Sequence, residues 1–275
     1  MVARALAKHC RELGDNVTAL TRHDLDITDR DAVFRKFEEL KPDAVINCAA
    51  FTDVDGAEAN IDKCYAVNAT GVENMALASA NLDIKFVTIS TDYVFDGEKD
   101  GFYTEADEAV PLGIYAKSKL EGEKLALAAD PNSIVVRSGW IYGSGGKNFL
   151  SVMNMLLKSG KAITAISDSL GTPTNAADLS QRLRELAATN VTGIIHVTNE
   201  GSGTTYFGFA EKICELCGYG DLVTPVTNDS LQRPAPRPKN SRIASIRTAE
   251  TGLAILPDWI DSLKNYLDNE NKAEG

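Results

Sequence analysis

Phe86-Val87-Thr88-Ile89-Ser90-Thr91-Asp92-Tyr93-Val94-Phe95-Asp96-Gly97 decides how the chain is read. Phe86 to Ile89 is an apolar run without the polar alternation of a half-wet strand, so it reads as a strand buried on both faces. Ser90, Thr91 and Asp92 then place two hydroxyls and a carboxylate at that strand's carboxyl end, where open α/β sheets carry their chemistry. Shortly afterwards Tyr115-Ala116-Lys117-Ser118-Lys119 opens a helical run. Tyr115 and Lys119 are one helical turn apart and share a face. A hydroxyl, a phenol and an ammonium brought into one pocket make a proton-delivery site for a carbonyl.

Upstream of this stretch, residues 1–13 read as a helix, with Val2, Leu6, Cys10 and Leu13 on one face and Gly14 as its stop. Val17-Thr18-Ala19-Leu20 reads as a strand. Thr28-Asp29-Arg30-Asp31 reads as a helix start with a hydroxyl N-cap, followed by a buried side of Ala32, Val33, Phe34, Phe37 and Leu40. Ala44 to Ala50 is a fully apolar strand ending in small residues. A helix is expected over 61–80, a strand over 84–90 and another at Ile134-Val135-Val136-Arg137. Such βαβα alternation with non-alternating strands means an α/β fold, a Rossmann-type doubly wound parallel sheet, with its nucleotide-binding domain over 1–142. Folds of this kind begin with a strand and a Gly-rich turn that seats a pyrophosphate on a helix N-terminus. This sequence starts inside what should be the first helix, so that strand and loop are expected to be missing. Either the sequence is shortened at its start, or the protein is a relative that does not hold the cofactor.

Beyond residue 142 the pattern loosens into a smaller α/β substrate-binding part over 143–268, some of whose strands return to the sheet. Gly143, Gly145 and Gly146 make a loop, and helices are expected at 149–159, 175–188 and 205–217 with strands at 162–166 and 193–197. The prolines of Gln232-Arg233-Pro234-Ala235-Pro236-Arg237-Pro238-Lys239 exclude helix or inner strand and leave an extended, basic loop. Leu256-Pro257-Asp258 opens a last amphipathic helix, and 269–275 reads as a frayed polar tail.

The 275 residues carry a net charge of −11, which argues against nucleic acid or an anionic membrane as partner. A phosphorylated substrate then needs a local basic cluster. No apolar run approaches the roughly 18 residues of a membrane-spanning helix, and no secretory signal opens the chain, so a cytoplasmic protein is expected. The five cysteines, an odd number, read as reduced thiols. Cys214 and Cys217 have CxxC spacing without a second pair or a nearby histidine, and read as core thiols. His9, His23 and His196 show no mutual spacing for a metal, and no metal is expected.

These residues together resemble the extended short-chain dehydrogenase/reductases, and within them the dTDP-4-dehydrorhamnose reductase family. The likeness runs through Asn47 to Asp55, Val67-Asn68-Ala69, Ser90 to Gly97, Arg137 to Gly143, Gly171 to Thr174 and Arg233 to Pro238. Its most specific part is Ser90 to Gly97 followed by Pro111-Leu112-x-x-Tyr115-x-x-x-Lys119. The resemblance implies reduction of the 4-keto group of a dTDP-4-keto-6-deoxy sugar, in dTDP-rhamnose and polysaccharide synthesis. Tyr115 would give the proton, Thr91 would hold the carbonyl oxygen, and Lys119 would tune Tyr115 and bond the nicotinamide ribose. The phenol, at about 10 when unperturbed, would be pulled toward neutrality by the ammonium and the nicotinamide charge.

For the cofactor the resemblance implies Asp26 and Ile27 at the adenine, Ala49 and Ala50 along the pyrophosphate and nicotinamide ribose, and Ser90, Tyr115 and Lys119 beside it. Arg22, after the second strand, suits a 2′-phosphate and points to NADP, while Asp24 leaves NAD open. Thr91, Asp92, Tyr93 and Trp140 would line the sugar pocket, and Arg233 and Arg237 would take the diphosphate. Trp140, directly after a buried strand, has core packing as its other reading. The partners are a nucleotide-sugar substrate and, left open, a second copy of the chain as a homodimer. Two other readings are a sugar-nucleotide epimerase or 4,6-dehydratase, which would need a glutamate beside Asp92, and a non-catalytic regulatory subunit like methionine adenosyltransferase beta, which would not need Tyr115.

Overall fold

A computed structural model describes residues 1–274. In chain order the elements are α1 (Val2–Glu12), α2 (Arg30–Leu40), β1 (Ala44–Asn47), α3 (Val54–Ala59), α4 (Ile61–Tyr65), a π-helical turn (Ala66–Thr70), α5 (Gly71–Asn81) and β2 (Lys85–Thr91). A 3-10 turn (Asp92–Val94) leads through a loop to α6 (Ile114–Ala129), β3 (Ile134–Ser138), β4 (Ile141–Tyr142), α7 (Phe149–Lys158) and β5 (Ile163–Ile166). Then follow β6 (Leu170–Gly171), β7 (Thr174–Asn175), α8 (Ala176–Ala187), β8 (Gly193–His196), β9 (Thr204–Thr205), α9 (Tyr206–Cys217), β10 (Val223–Val226), α10 (Thr248–Thr251) and α11 (Trp259–Glu274).

Among the described residues the main sheet runs β1-β2-β3-β8, every pair parallel. Its register sets Ser90 opposite Arg137 and Arg137 opposite His196, one polar row near the carboxyl ends. Side chains alternate across the sheet as the pleat demands. Phe86 packs with Val33, Phe37, Val72 and Met75 of the α2 and α5 layer, and with Ala126 of α6. Val87, Ile134 and Val136 pack on the opposite face with Leu6 of α1 and Leu179 and Leu183 of α8. The sheet is therefore covered on both sides, and the α/β class follows from burial. A second core, Trp140, Tyr142, Met153, Phe209 and Trp259 among its members, joins α7, α9 and α11 beside a parallel β5/β10 pair.

Several local expectations are corrected. Val17–Leu20 has no ladder partner among the described residues and is not a strand. The cap of α2 is Asp29, which accepts from Ala32 N at 2.9 Å, while the Thr28 hydroxyl donates to Asp26 Oδ1 at 2.8 Å. The helix expected over 61–80 is present from Ile61 to Asn81, but its middle turn, Ala66–Thr70, is π-helical and carries Asn68 inward. Its amide accepts from Phe51 N at 2.8 Å and donates to Phe51 O and Ser118 Oγ, both at 3.0 Å. Gly122 of α6 lets that helix close on the turn, since a Cβ there would overlap the Asn68 carbonyl oxygen. The tail expected to fray from 269 continues α11 through Glu274, and Gly275 lies outside the described residues. Among the described residues no helix is long and apolar enough to cross a membrane.

Candidate active site

Thr91 is the last residue of β2, and its hydroxyl holds the turn that follows. It accepts from Tyr93 N at 3.2 Å and donates to Asp92 Oδ1 at 3.1 Å. Tyr115 stands in the first turn of α6, near enough to Thr91 for that hydroxyl to favour its ionised form. Lys119, one turn on, is buried, and its Nζ donates to Ile89 O at 2.7 Å. The three candidate catalytic groups thus come together at the sheet's carboxyl edge.

Their electrostatics differ from the expectation in one respect. Burial pushes the Tyr115 phenol well above the ordinary tyrosine range, outweighing the Thr91 hydroxyl, and the Asp92 charge pushes the same way. Burial also pulls Lys119 down to about 8, against the opposing pull of Glu123. One Lys119 N–H is used on a strand carbonyl, and at Tyr115 desolvation is the largest effect. Asp92 is buried, and desolvation raises its carboxyl to about 7 despite favourable contacts from Ser241 and Thr91. Its Oδ2 has no hydrogen-bond partner among the described residues. A Cβ at Gly139 would overlap this carboxyl group, so the glycine is what admits it.

An aromatic wall closes the pocket. Tyr93 meets Tyr115 edge-to-face at 6.4 Å, and Trp140 stacks on Tyr206 at 3.9 Å between centroids. The Tyr93 and Tyr206 phenols sit beside each other, and burial pushes both up. Trp140 adopts φ +48°, a left-handed backbone that costs about 1–3 kcal/mol unless its surroundings hold it. Its surroundings do: Nε1 donates to Ser241 Oγ at 3.2 Å, Tyr206 covers the ring, and Gly171 lies so close beneath that a Cβ would overlap Cε2. Trp140 is buried and Tyr206 only half-buried, so Tyr206 is the more open ring.

The two arginines of the basic loop, both expected on the diphosphate, line one cavity of about 580 Å³ together with Asn228, Leu231 and Pro236. Arg233 is exposed there, and Arg237 is half-buried and paired with Asp55. Its fork reaches Asp55 Oδ1 at 2.9 Å and Oδ2 at 2.8 Å, and Nη1 also donates to Ala235 O at 3.0 Å. That fork holds the Asp55 carboxyl below the usual range. Sequence spacing could not show this, because the partners are 182 residues apart.

Of the cofactor candidates, Arg22 leaves its side chain 71% exposed, held only loosely by Asp26 at 3.9 Å. Asp26 Oδ1 takes the Thr28 amide at 3.0 Å, and Ile27 packs on Gly71. Asp24 is occupied in its own turn by the Thr21 amide and hydroxyl. Ala49 is exposed and Ala50 half-buried just past β1, with Ala49 N donating to Asn47 Oδ1 at 2.8 Å. An exposed guanidinium at one end and small residues near the strand that Lys119 bonds at the other suit the two ends of a phosphorylated dinucleotide, while among the described residues no strand and Gly-rich turn precede α1 to seat its pyrophosphate. Ser90 does not join them. Its hydroxyl donates to Glu123 Oε1 on the interior side of α6, and Glu123 in turn holds Arg137. Glu123, Arg137, Tyr206, Ser241 and Asp55 were not singled out from sequence. Glu123 alone carried a signal, lying one further turn along the Tyr115–Lys119 stripe.

The family model described as the RmlD substrate binding domain matches residues 1–272. A dTDP-4-dehydrorhamnose reductase of Mycobacterium tuberculosis H37Rv is 42% identical over 268 residues, covering 95% of this chain and 87% of its own. A crystal structure of a dTDP-4-dehydrorhamnose reductase from Clostridium acetobutylicum superimposes with TM-score 0.93 at 38% identity, covering 98% of this chain and 96% of that one. The Bacillus anthracis enzyme, solved in complex with NADP, also gives 0.93, at 33% identity over 98% and 95% of the two chains.

Proposed function

The chain belongs to the dTDP-4-dehydrorhamnose reductase family, and on that premise we propose how its own residues reduce the 4-keto group of a dTDP-4-keto-6-deoxy sugar with NADPH. The observation that carries the proposal is the convergence of Thr91, Tyr115 and Lys119 beneath an aromatic wall at the carboxyl edge of β2. The chemistry NADPH supplies is the hydride delivered to the carbonyl carbon. Asp26 and Ile27 hold the adenine end, Arg22 the 2′-phosphate, and Ala49, Ala50 and Lys119 the nicotinamide end. With Asp24 spent within its turn, NADP is favoured over NAD.

Tyr115 is the acid. A phenol raised by burial keeps its proton at neutral pH and can give it up only as negative charge grows on the ketone oxygen. Thr91 orients that oxygen by turning its hydroxyl away from Asp92 toward it. Asp92 accepts from the sugar hydroxyls with its unpartnered Oδ2, Tyr93 and Tyr206 line the sugar's path, and Trp140 braces them from behind. Arg233 takes the diphosphate, while Arg237 fastens the loop that carries Arg233. Residues 1–142 act mainly on the cofactor and 143–268 on the substrate. We place the reaction in the cytoplasm, a reading that the five free cysteines support.

The test is direct. Protein mixed with NADPH and the dTDP-4-keto-6-deoxy sugar should consume the 340 nm absorbance and yield dTDP-rhamnose. Unchanged absorbance with competent substrate would end this reading.

A further inference from the structure

We infer that Glu123, held by Arg137, is a positioning residue of this site whose charge keeps Lys119 an ammonium; the inference rests on the reductase reading above for the use made of Lys119. Tyr115, Lys119 and Glu123 follow one another at four-residue steps along α6 and share its inner stripe. The Glu123 and Arg137 side chains are 2% and 4% exposed. Arg137 Nη2 meets Oε2 at 2.7 Å, and Nε lies 3.0 and 3.1 Å from the two carboxylate oxygens. The Ser90 hydroxyl, across the β2/β3 register from Arg137, donates to the same carboxylate.

A fold has little need of such a pair. Desolvating two charges is costly, and replacing a buried ion pair by hydrocarbon is often neutral or stabilising. What hydrocarbon cannot do is set the potential one turn along the helix. There Lys119 is buried, and its bonded partner is the neutral carbonyl of Ile89. Burial favours the free amine, and Glu123 is the foremost group opposing it.

The other groups around this spot do not supply that negative charge. Cys48, past β1, and Cys64, from α4, are thiols pushed up by burial, Cys48 to about 12, and stay neutral near pH 7. Tyr115 is likewise a neutral phenol. Arg137, on β3 over the Phe95 ring, has the opposing sign. His196, beyond Arg137 on β8, is held down to about 4 and is uncharged at neutral pH. Glu105 lies beyond His196 and is occupied by its amide, while Asp92, on the turn after β2, bears on Tyr115.

Two substitutions separate this role from a structural one. Glu123→Gln removes the negative charge and leaves Arg137 facing Lys119, so the lysine should titrate lower by about one unit or more. Arg137→Gln leaves Glu123 uncompensated, so the lysine should titrate higher. Both weaken the same buried pair, and a merely structural role would move both variants the same way or neither.

The readout is the titration of carbon-13-labelled lysine by NMR on the protein without substrate or cofactor, with the Lys119 signal assigned by its loss in Lys119→Met. The wild-type midpoint is expected near 8. The alkaline limb of the kcat profile should follow the same order. Midpoints unmoved, or displaced in one direction by both variants, overturn the inference. The double variant Glu123→Gln/Arg137→Gln buries no charge and keeps the test open if a single variant fails to fold. Its midpoint should fall below wild type by less than that of Glu123→Gln, and an unmoved midpoint overturns the inference equally. Because the titration needs no turnover, absent NADPH oxidation would remove the reductase reading without touching this result.

Discussion

Asp92→Asn should make the protein more stable at alkaline pH while impairing catalysis. The Asp92 carboxyl is raised from 3.8 to about 7 by burial, so folding favours its protonated form. A group raised in this way binds more protons folded than unfolded, and stability falls as pH climbs from the unfolded value to the folded one. The full penalty, reached above pH 7, is the shift of about 3 units taken at 1.36 kcal/mol each, or about 4 kcal/mol. About 2 kcal/mol of it develops between pH 5.5 and 8. An asparagine has nearly the same shape and cannot ionise, so the variant escapes this term. Leaving its amide unpaired costs a constant amount at every pH and cancels in the comparison. Urea unfolding of both proteins at pH 5.5 and pH 8, read as midpoint times slope, measures the difference. The asparagine variant should gain about 2 kcal/mol relative to wild type across that interval. A gap that stays flat with pH would refute the assignment of a buried, desolvated carboxyl. kcat/KM should fall at the same time, because Oδ2 is proposed as a sugar contact.

Other outcomes are expected from the same geometry. Tyr115→Phe should lower kcat by about 10²–10⁴-fold with little change in NADPH affinity, since only the proton donor is lost. Arg22→Ala should raise KM for NADPH while leaving KM for NADH nearly unchanged, which steady-state kinetics with both cofactors would decide. Gly171→Ala drives a Cβ into the Trp140 ring and should cost about 1–3 kcal/mol of stability, seen as a lower Tm, with KM for the nucleotide sugar raised as the Tyr206 stack is displaced.

Much of this architecture is legible in the chain because it is local. Phe86–Thr91 is buried along most of its length, and its parity already assigns faces. Phe86, Thr88 and Ser90 must point one way, toward α2, α5 and α6, and Val87 and Ile89 the other, toward α1 and α8. That parity turns Ser90 toward α6 and accounts for the Ser90–Glu123 bond. The i,i+4 geometry of Tyr115 and Lys119 is equally local. What escaped the sequence depends on partners far along it. Ser241 meets Trp140 across 101 residues, and Arg237 chooses Asp55 over solvent across 182. The π turn at Asn68 exists to satisfy Phe51 and Ser118, and no hydrophobic period announces it. Desolvation of the phenol, the largest effect on Tyr115 in the closed pocket without cofactor, depends on how the chain packs and is not legible from the i,i+4 spacing.

The Asp55–Arg237 pair acts as a reversible cross-link. It closes a loop of 182 residues and reaches from the segment after β1 to the strap after β10. Closing so long a loop removes chain entropy that the contacts around it have already overcome once the molecule is folded, and the strap is held besides by Ala235 N on Asp55 and by Asn240 on the carbonyls of Lys99 and Gly101. Its aspartate stays 38% exposed while the arginine is 15% exposed, and the link therefore feels the salt of the solution more than the buried pair at Glu123 does.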